Sequence, residues 1–404
     1  MPSSLDGIRV LDLSRVLAGP VCTQILGDLG AEIIKIEKPG EGDDTRQWGP
    51  PFLKDKDGND TQESAYYLSC NRNKKSVTVD ISKPEGQKII HALAAKSDIL
   101  IHNFKVGGLD KYGLGFVAMH EKHPHLIYTA ISGFGQDGPL ASEPGYDLMA
   151  QAMGGLMGHT GAEGQDPTKA GVALVDVMTG LYAAIGTLAA LHAREKTGKG
   201  QMVDLALLDV TLAAMTNIAQ YYLTSGKAPK RFGNAHATIV PYQSFRAKDG
   251  HMVIAIGNDH QFRKFAAALG KPEWADDPRF AHNSARVANR DILVPMIAEV
   301  LAARSVDDWV ALMREIDVPA APVNSIDKVF AIDQIQSRGM EIEMPHPQSP
   351  SPIKLVGSPF HLSGTPVSYR LPPPVMGSHT AEVLTVLTGL SQAELADLQA
   401  KKVI

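Results

Sequence analysis

Short apolar runs alternate with helical patterns through the first hundred residues and beyond, and that order leaves few folds open. Ile8–Leu13 reads as a buried strand, followed by a turn at Ser14–Gly19 and a helix entered at Pro20, a favoured first-turn position. Glu32–Lys38 is the next strand, with apolar Ile33, Ile34 and Ile36, and Ser76–Ile81 is another. Ser82 then opens a helix with Glu85 three residues on, a capping-box spacing, and Ile89, Ile90 and Leu93 form its buried stripe. Asp98–Phe104 and Leu126–Ser132 are strands again. Such alternation implies parallel strands joined by crossover helices, an α/β fold.

The pattern changes further along. Gly171–His192 is the most apolar long segment and reads as a buried helix beginning near Asp176. After about residue 225, Pro241–Phe245 and His251–Ile256 look like antiparallel strands around a Lys248-Asp249-Gly250 turn. Helices follow at Gln261–Leu269, Asp291–Ala303 and Ser305–Ile316, the last with a Ser305/Asp308 cap. This is a second, α+β domain, and 404 residues are enough for two. Residues 339–376 are rich in proline and serine, which suits an extended crossing segment, and His379–Leu390 and Ser391–Lys401 close the chain as helices.

Charge and cysteine content narrow the partners. A net charge of −5 provides no basic field for nucleic acid or an anionic membrane, so any polyanion must be met by local lysines and arginines. No run approaches the roughly 18 apolar residues of a membrane span, and the first residues carry no targeting pattern, so a cytoplasmic protein is expected. Cys22 and Cys70 form no disulfide framework and match no metal-ligand spacing, and His236 has no second histidine or cysteine at ligand spacing, so no metal is expected. The nucleotide motifs G-x-G-x-x-G after the first strand and G-x-x-x-x-G-K-[ST] are absent, so the alternating layout is no argument for a dehydrogenase.

The residue that stands out is Asp176, alone among Ala173, Leu174, Val175, Val177 and Met178. An ionised carboxylate in such surroundings costs several kcal/mol unless it is hydrogen-bonded or sits at a helix N-terminus. It reads as the N-cap of the apolar helix, as a partly desolvated nucleophile, or as both together, and desolvation makes a carboxylate a better attacker on a thioester. Composition does not choose between the two.

Several separate segments, in order, carry a resemblance. They are Leu11-Asp12-Leu13-Ser14-Arg15 with Ala18-Gly19-Pro20, Gly27 to Glu32, and Lys35 to Gly40. Gly42 to Arg46, Asn73 to Ser76, Asn103-Phe104, Ser132 to Gly135 and Gly145-Tyr146-Asp147 follow. Gly233-Asn234, Pro241-Tyr242, Asp277 to Phe280 and Pro322 to Asn324 continue it. Over nearly its whole length the chain resembles the family III CoA-transferases, the formyl-CoA/carnitine CoA-transferase type.

The resemblance implies an interlocked homodimer. Its large Rossmann-like parallel-sheet domain comes from both chain ends, about 1–200 and 345–404, and a smaller α+β domain spans about 225–330. Long crossing segments at about 200–225 and 331–376 agree with this. The family's nucleophilic aspartate maps to Asp176. Leu17 and Ala18 fall on the pantetheine path, and Lys38, Ser82, Asn103, Phe104 and Lys111 fall where relatives contact the nucleotide end of coenzyme A. Val79 matches an apolar contact beside the adenine. Lysine at 38 and 111 replaces the arginine common in relatives, which keeps the charge and loses the bidentate fork. Ile256 to Gln261 occupies the place of a mobile glycine-rich loop, with one glycine instead of several. His236 is read as structural or as lining the acyl pocket, and Arg46 as a holder of a substrate's distal carboxylate or a partner of Asp43 or Asp44.

The implied reaction moves CoA from an acyl-CoA to a small carboxylic acid, with no cofactor beyond coenzyme A as substrate. Backbone N–H groups at the start of the Asp176 helix are expected to stabilise the oxyanions. The alternative is an α-methylacyl-CoA racemase or an intramolecular CoA-thioester isomerase. The racemase histidine would fall at Tyr146, and a phenol with a pKa near ~10 is a poor proton acceptor beside a thioester. The Gly42–Arg46 segment followed by Trp48-Gly49-Pro50-Pro51 resembles the branch that uses succinyl-CoA and dicarboxylates.

Overall fold

Six parallel strands form the main sheet of the computed structural model, which describes residues 3–404. Their order across the sheet is Lys74–Thr78, Glu32–Glu37, Arg9–Asp12, Ile99–His102, Ile127–Ser132 and Met202–Ala206. Val10 pairs with Ile33 on one side and Ile99 on the other. Both faces are covered, which is why the inner strands read as unbroken apolar runs. Leu11, Ile34, Leu100 and Tyr128 point into one layer with Ile89, Ile90 and Leu93 of the helix Pro84–Ala94. Leu384 and Leu395, from the last two helices, enter the same layer. Val10, Ile33, Ile99, Ile101 and Ile127 face the other layer, against the helices Ala18–Asp28 and Leu174–Thr197.

The α/β class expected from the alternation is the one observed, with several local corrections. Ser82 is not the helix cap. The helix starts at Pro84 after Lys83, and the Ser82 hydroxyl donates to Asp80 at 2.6 Å. The stretch expected to cross at about 200–225 begins as the sheet's edge strand and continues as the helices Leu207–Ala214 and Thr216–Ser225. Residues 339–376 contain an antiparallel pair, Glu341–Met344 with Ile353–Val356. The irregular remainder is tied down: Arg370 donates to the carbonyls of Gly27, Gly30 and Ala31, and the Asn73 N–H donates to Leu371.

The helix Leu174–Thr197 is longer than expected and, by length and composition alone, apolar enough to cross a membrane. In this fold it lies along Ala18–Asp28, with Val175, Thr179, Gly180, Ala183 and Ala184 buried on one face. Gly180 is required there: a Cβ would stand 2.7 Å from the Ala18 carbonyl oxygen.

The chain divides into two units. The first holds the six-stranded sheet and comprises residues up to 156, 169–220 and 336–404; the second comprises 157–168 and 221–335. The second is built on a three-stranded antiparallel sheet in the order Ala320–Pro322, His251–Ala255, Tyr242–Arg246. Phe262, Phe265, Leu293 and Trp309 from its helices pack together with Met252 and Ile254 of the sheet. Ser305 caps its helix as expected, accepting the Asp308 N–H.

Candidate active site

Asp176 lies in the first turn of its helix, two residues past Leu174, and is not the N-cap. The capping is done from a distance. Asp147, at the start of the helix Asp147–Met153, accepts the Val175 N–H at 2.8 Å and the Asp176 N–H at 3.2 Å through one carboxylate oxygen. Its other oxygen accepts from Gln151 at 2.6 Å, and Gln151 in turn accepts the Ala170 N–H. The first turn is therefore satisfied without using the Asp176 side chain.

That leaves Asp176 half-buried, with no hydrogen bond or ion pair to its carboxylate among the described residues. Burial first, and the negative charge of Asp147 second, push its carboxyl up to about 7. A carboxylate with free lone pairs and a raised pKa is a better nucleophile than an exposed one. The same arrangement removes the donors expected to serve as an oxyanion hole. The Leu174 N–H donates to Val172, and those of Val175 and Asp176 go to Asp147.

Asp176 opens onto a cavity of about 430 Å³, within the usual size of a small-molecule site. Leu17, Ala18, Asn103, Phe104 and Tyr146 line it too, so the structure brings these five to the acid that sequence singled out. Arg15, Asp44, Trp48, Lys105 and Glu143 add to the polar and aromatic wall, and sequence reading placed none of them in the binding site. Tyr66 is close enough that, after burial, the Asp176 charge helps raise its phenol to about 12. Its ring meets Trp48 edge-on at 5.2 Å.

A second cavity of about 290 Å³ shares Arg15 and Phe104 with the first and contains Lys38, Val79 and Ser82. Lys38 is paired with Glu41 at 2.6 Å, with both side chains exposed, so an incoming phosphate can displace the acid at little cost. Lys111 lies outside both linings. Its ammonium sits 4.8 Å over the Tyr112 ring, and Tyr112 lines the second cavity. Asn103 is occupied with the backbone: its amide accepts the Arg15 N–H at 2.9 Å and donates to the Arg15 carbonyl at 2.7 Å.

The turn between these cavities is held from below. Val16, a β-branched residue, stands at φ +69°, a strained conformation for anything but glycine. Asp43 accepts its N–H and also receives the buried ammonium of Lys35 at 2.8 Å, while Lys35 donates to the Ser14 carbonyl as well. Lys35 and the Thr45 N–H, set against burial, hold the Asp43 carboxyl down at about 2. Leu17 and Ala18, at the head of the next helix, keep backbone N–H groups without an acceptor among the described residues.

Arg46 lines neither cavity, and its side chain does not pair with Asp43 or Asp44. It is buried, bonded twice to Glu37 at 2.8 Å, to Glu63 at 2.6 Å and to the Tyr67 hydroxyl at 2.7 Å. In the second unit, Ile256 to Gln261 is the tight entry to the helix Asp259–Ala268. Asn258 caps Gln261, and the Gly257 N–H donates to the Gln261 side chain. His236 accepts the Thr238 N–H through Nδ1, a turn-forming contact within that unit.

With this geometry in view, comparison with known proteins is informative. The chain is 42% identical over 400 residues to the succinyl-CoA:glutarate CoA-transferase of Homo sapiens, covering 99% of this chain and 90% of that one. It is 43% identical over 383 residues to the succinate–glutarate CoA-transferase of Agrobacterium fabrum, covering 95% of each. Among solved structures, a CAIB/BAIF family protein from Brucella suis superposes with a TM-score of 0.88 at 45% identity, covering 96% of this chain and all of that one. The family model for CoA-transferase family III matches residues 5–380, and the chain belongs to that family.

Proposed function

We propose that this enzyme moves CoA from succinyl-CoA to a short dicarboxylic acid, with Asp176 as the carrier. The observation that carries this reading is the unpartnered, half-buried Asp176 carboxylate, poised near pH 7 in a cavity that meets a second one lined by Lys38, Val79 and Ser82. The similarity to transferases named for succinyl-CoA and glutarate supports the substrate class.

In the proposed cycle the Asp176 carboxylate attacks the donor thioester, and CoA leaves as the thiolate, giving a mixed anhydride. The thiolate then attacks the aspartyl carbonyl, releasing the first acid and forming an aspartyl-CoA thioester. The acceptor carboxylate attacks that thioester to give a new anhydride and free thiolate. Attack of the thiolate on the new acyl carbonyl yields the product and restores Asp176. No net proton is consumed. The free N–H groups at Leu17 and Ala18 are the donors we assign to the oxyanions, in place of those already used by the Asp176 helix. Racemisation is disfavoured, because Tyr146 stands where a histidine base is needed and no histidine lines this cavity.

We also propose a homodimer. Leu181, Tyr182 and Ile185 on the Asp176 helix are exposed, as are Leu148, Met149 and Met153 on the helix Asp147–Met153, large apolar side chains that a second copy of the chain would cover. Two unpaired, buried cysteines suit a reducing compartment, and a cytoplasmic location is part of this proposal. The test combines turnover with trapping. Incubation with succinyl-CoA and glutarate should form the new thioester, and hydroxylamine or borohydride should mark Asp176 in peptide mapping. Asp176→Ala should lose transfer by roughly a thousandfold or more while still binding CoA. Labelling elsewhere, or an active variant, overturns the mechanism; a single-chain mass in light scattering overturns the dimer.

A further inference from the structure

We propose that Arg15 is the specificity residue that receives the distal carboxylate of the dicarboxylate, in donor and acceptor alike; this rests on the dicarboxylate reading above. A dicarboxylate bound for attack has one carboxyl group at Asp176 and must place the other in a cavity that already holds Asp44, Glu143 and Asp176. Without a facing cation, that second charge is repelled and poorly solvated. The cations lining the cavity are Arg15 and Lys105, because Arg46 is committed to Glu37 and Glu63 beneath it.

Arg15 is built for this and Lys105 is not. Both its backbone N–H and its carbonyl are clamped by the Asn103 amide, and its guanidinium lies 5.4 Å over the Phe104 ring. One terminal nitrogen donates to Asp44 at 2.9 Å, while the other terminal nitrogen and Nε have no acceptor among the described residues. The side chain is about half-exposed, at 48%, so its pair with Asp44 is weak enough to be shared with an incoming carboxylate. A planar fork with free donors matches a carboxylate bidentately. No hydrogen bond or ion pair among the described residues fixes the Lys105 ammonium.

Because Arg15 also borders the cavity with Lys38 and Val79, the competing role is a grip on a CoA phosphate. The experiment separates the two by comparing Arg15→Gln and Arg15→Lys with the wild type. Glutarate and butyrate serve as acceptors, succinyl-CoA and butyryl-CoA as donors, and free CoA binding is titrated directly. Loss of the charge-assisted bonds should raise KM for glutarate and succinyl-CoA about tenfold to hundredfold in Arg15→Gln, with free CoA affinity and butyryl-CoA KM unchanged. Arg15→Lys should recover part of the loss; if Arg15→Gln fails to fold, the same selective rise, smaller in Arg15→Lys, decides the matter. Equal losses for butyryl-CoA and free CoA would assign Arg15 to phosphate and overturn the proposal, as would an indifferent Arg15→Gln. A wild-type enzyme that ignores dicarboxylates would overturn the substrate reading together with this role, whereas dicarboxylate transfer with an indifferent variant overturns the role of Arg15 alone.

Discussion

Replacing Asp147 by Asn tests the electrostatics of the site without touching the nucleophile. Asp147 does two things at once: it caps the helix that carries Asp176, and its charge raises the Asp176 carboxyl. In Asp147→Asn the remaining carbonyl oxygen can still accept the Val175 and Asp176 N–H groups. The new amide nitrogen, however, faces the Gln151 amide that Asp147 now accepts at 2.6 Å, donor against donor. Gln151 is fully buried and cannot simply flip, because its oxygen accepts the Ala170 N–H. Stability should therefore fall by about 1–3 kcal/mol. The larger interest is in the pH profile. Asp176 must be ionised to attack, so wild-type kcat/KM should fall about tenfold per pH unit below about 7, where the free enzyme titrates. Burial is the larger of the two causes that lift Asp176 from 3.8, and Asp147 the smaller. Removing the Asp147 charge should therefore move the acid limb to lower pH, by less than half of the whole rise. The assay is kcat/KM for succinyl-CoA from pH 5 to 9, with folding checked by circular dichroism at each end. A folded variant whose acid limb stays near 7, or moves upward, refutes the claim that Asp147 loads charge onto Asp176.

Two further substitutions probe what holds the site in place. Gly180→Ala puts a methyl group 2.7 Å from the Ala18 carbonyl and 2.9 Å from the Val21 side chain, so the two helices must part. A loss of about 1–3 kcal/mol in thermal unfolding, with a lower kcat because Asp176 lies one turn away on the same helix, is expected, and wild-type melting would contradict the packing argument. Arg46→Met leaves Glu37 and Glu63 buried without their cation, which should cost about 3–5 kcal/mol in urea unfolding. An unchanged midpoint would mean those carboxylates are not ionised in the fold.

How far the sequence could be read follows from where each residue finds its partners. Strands such as Arg9–Asp12 and Ile99–His102 announce themselves as apolar runs because Val10, Leu11, Ile99, Leu100 and Ile101 are buried on both faces of the sheet. The edge strand Met202–Ala206 has one neighbour and carries Asp204, whose carboxylate accepts the Gln136 N–H, so its pattern is diluted and it passed for a connection. The local capping rule worked at Ser305, where the acceptor and donor are three residues apart. It failed at Ser82, whose hydroxyl is taken by Asp80, and at Asp176, whose helix is capped by Asp147 from another helix. Arg46 misled for the same reason: its neighbours in sequence are Asp43 and Asp44, but those acids serve Lys35 and Arg15, while Arg46 reaches Glu37, Glu63 and the Pro374 carbonyl. The Arg46 error came from assigning a charge to the nearest opposite charge along the chain. In the first unit the charges are sorted by the sheet instead. The strand Glu32–Glu37 carries Lys35 and Glu37 to the edge of the cavity, and these claim Asp43 and Arg46. Arg15 is left with one half-exposed acid and two free donors, and Asp176 with none of the positive charge. A lone acid in an apolar stretch pointed to Asp176, but its raised carboxyl comes from burial and the Asp147 charge with no cation paired to it among the described residues, and that is a property of the fold.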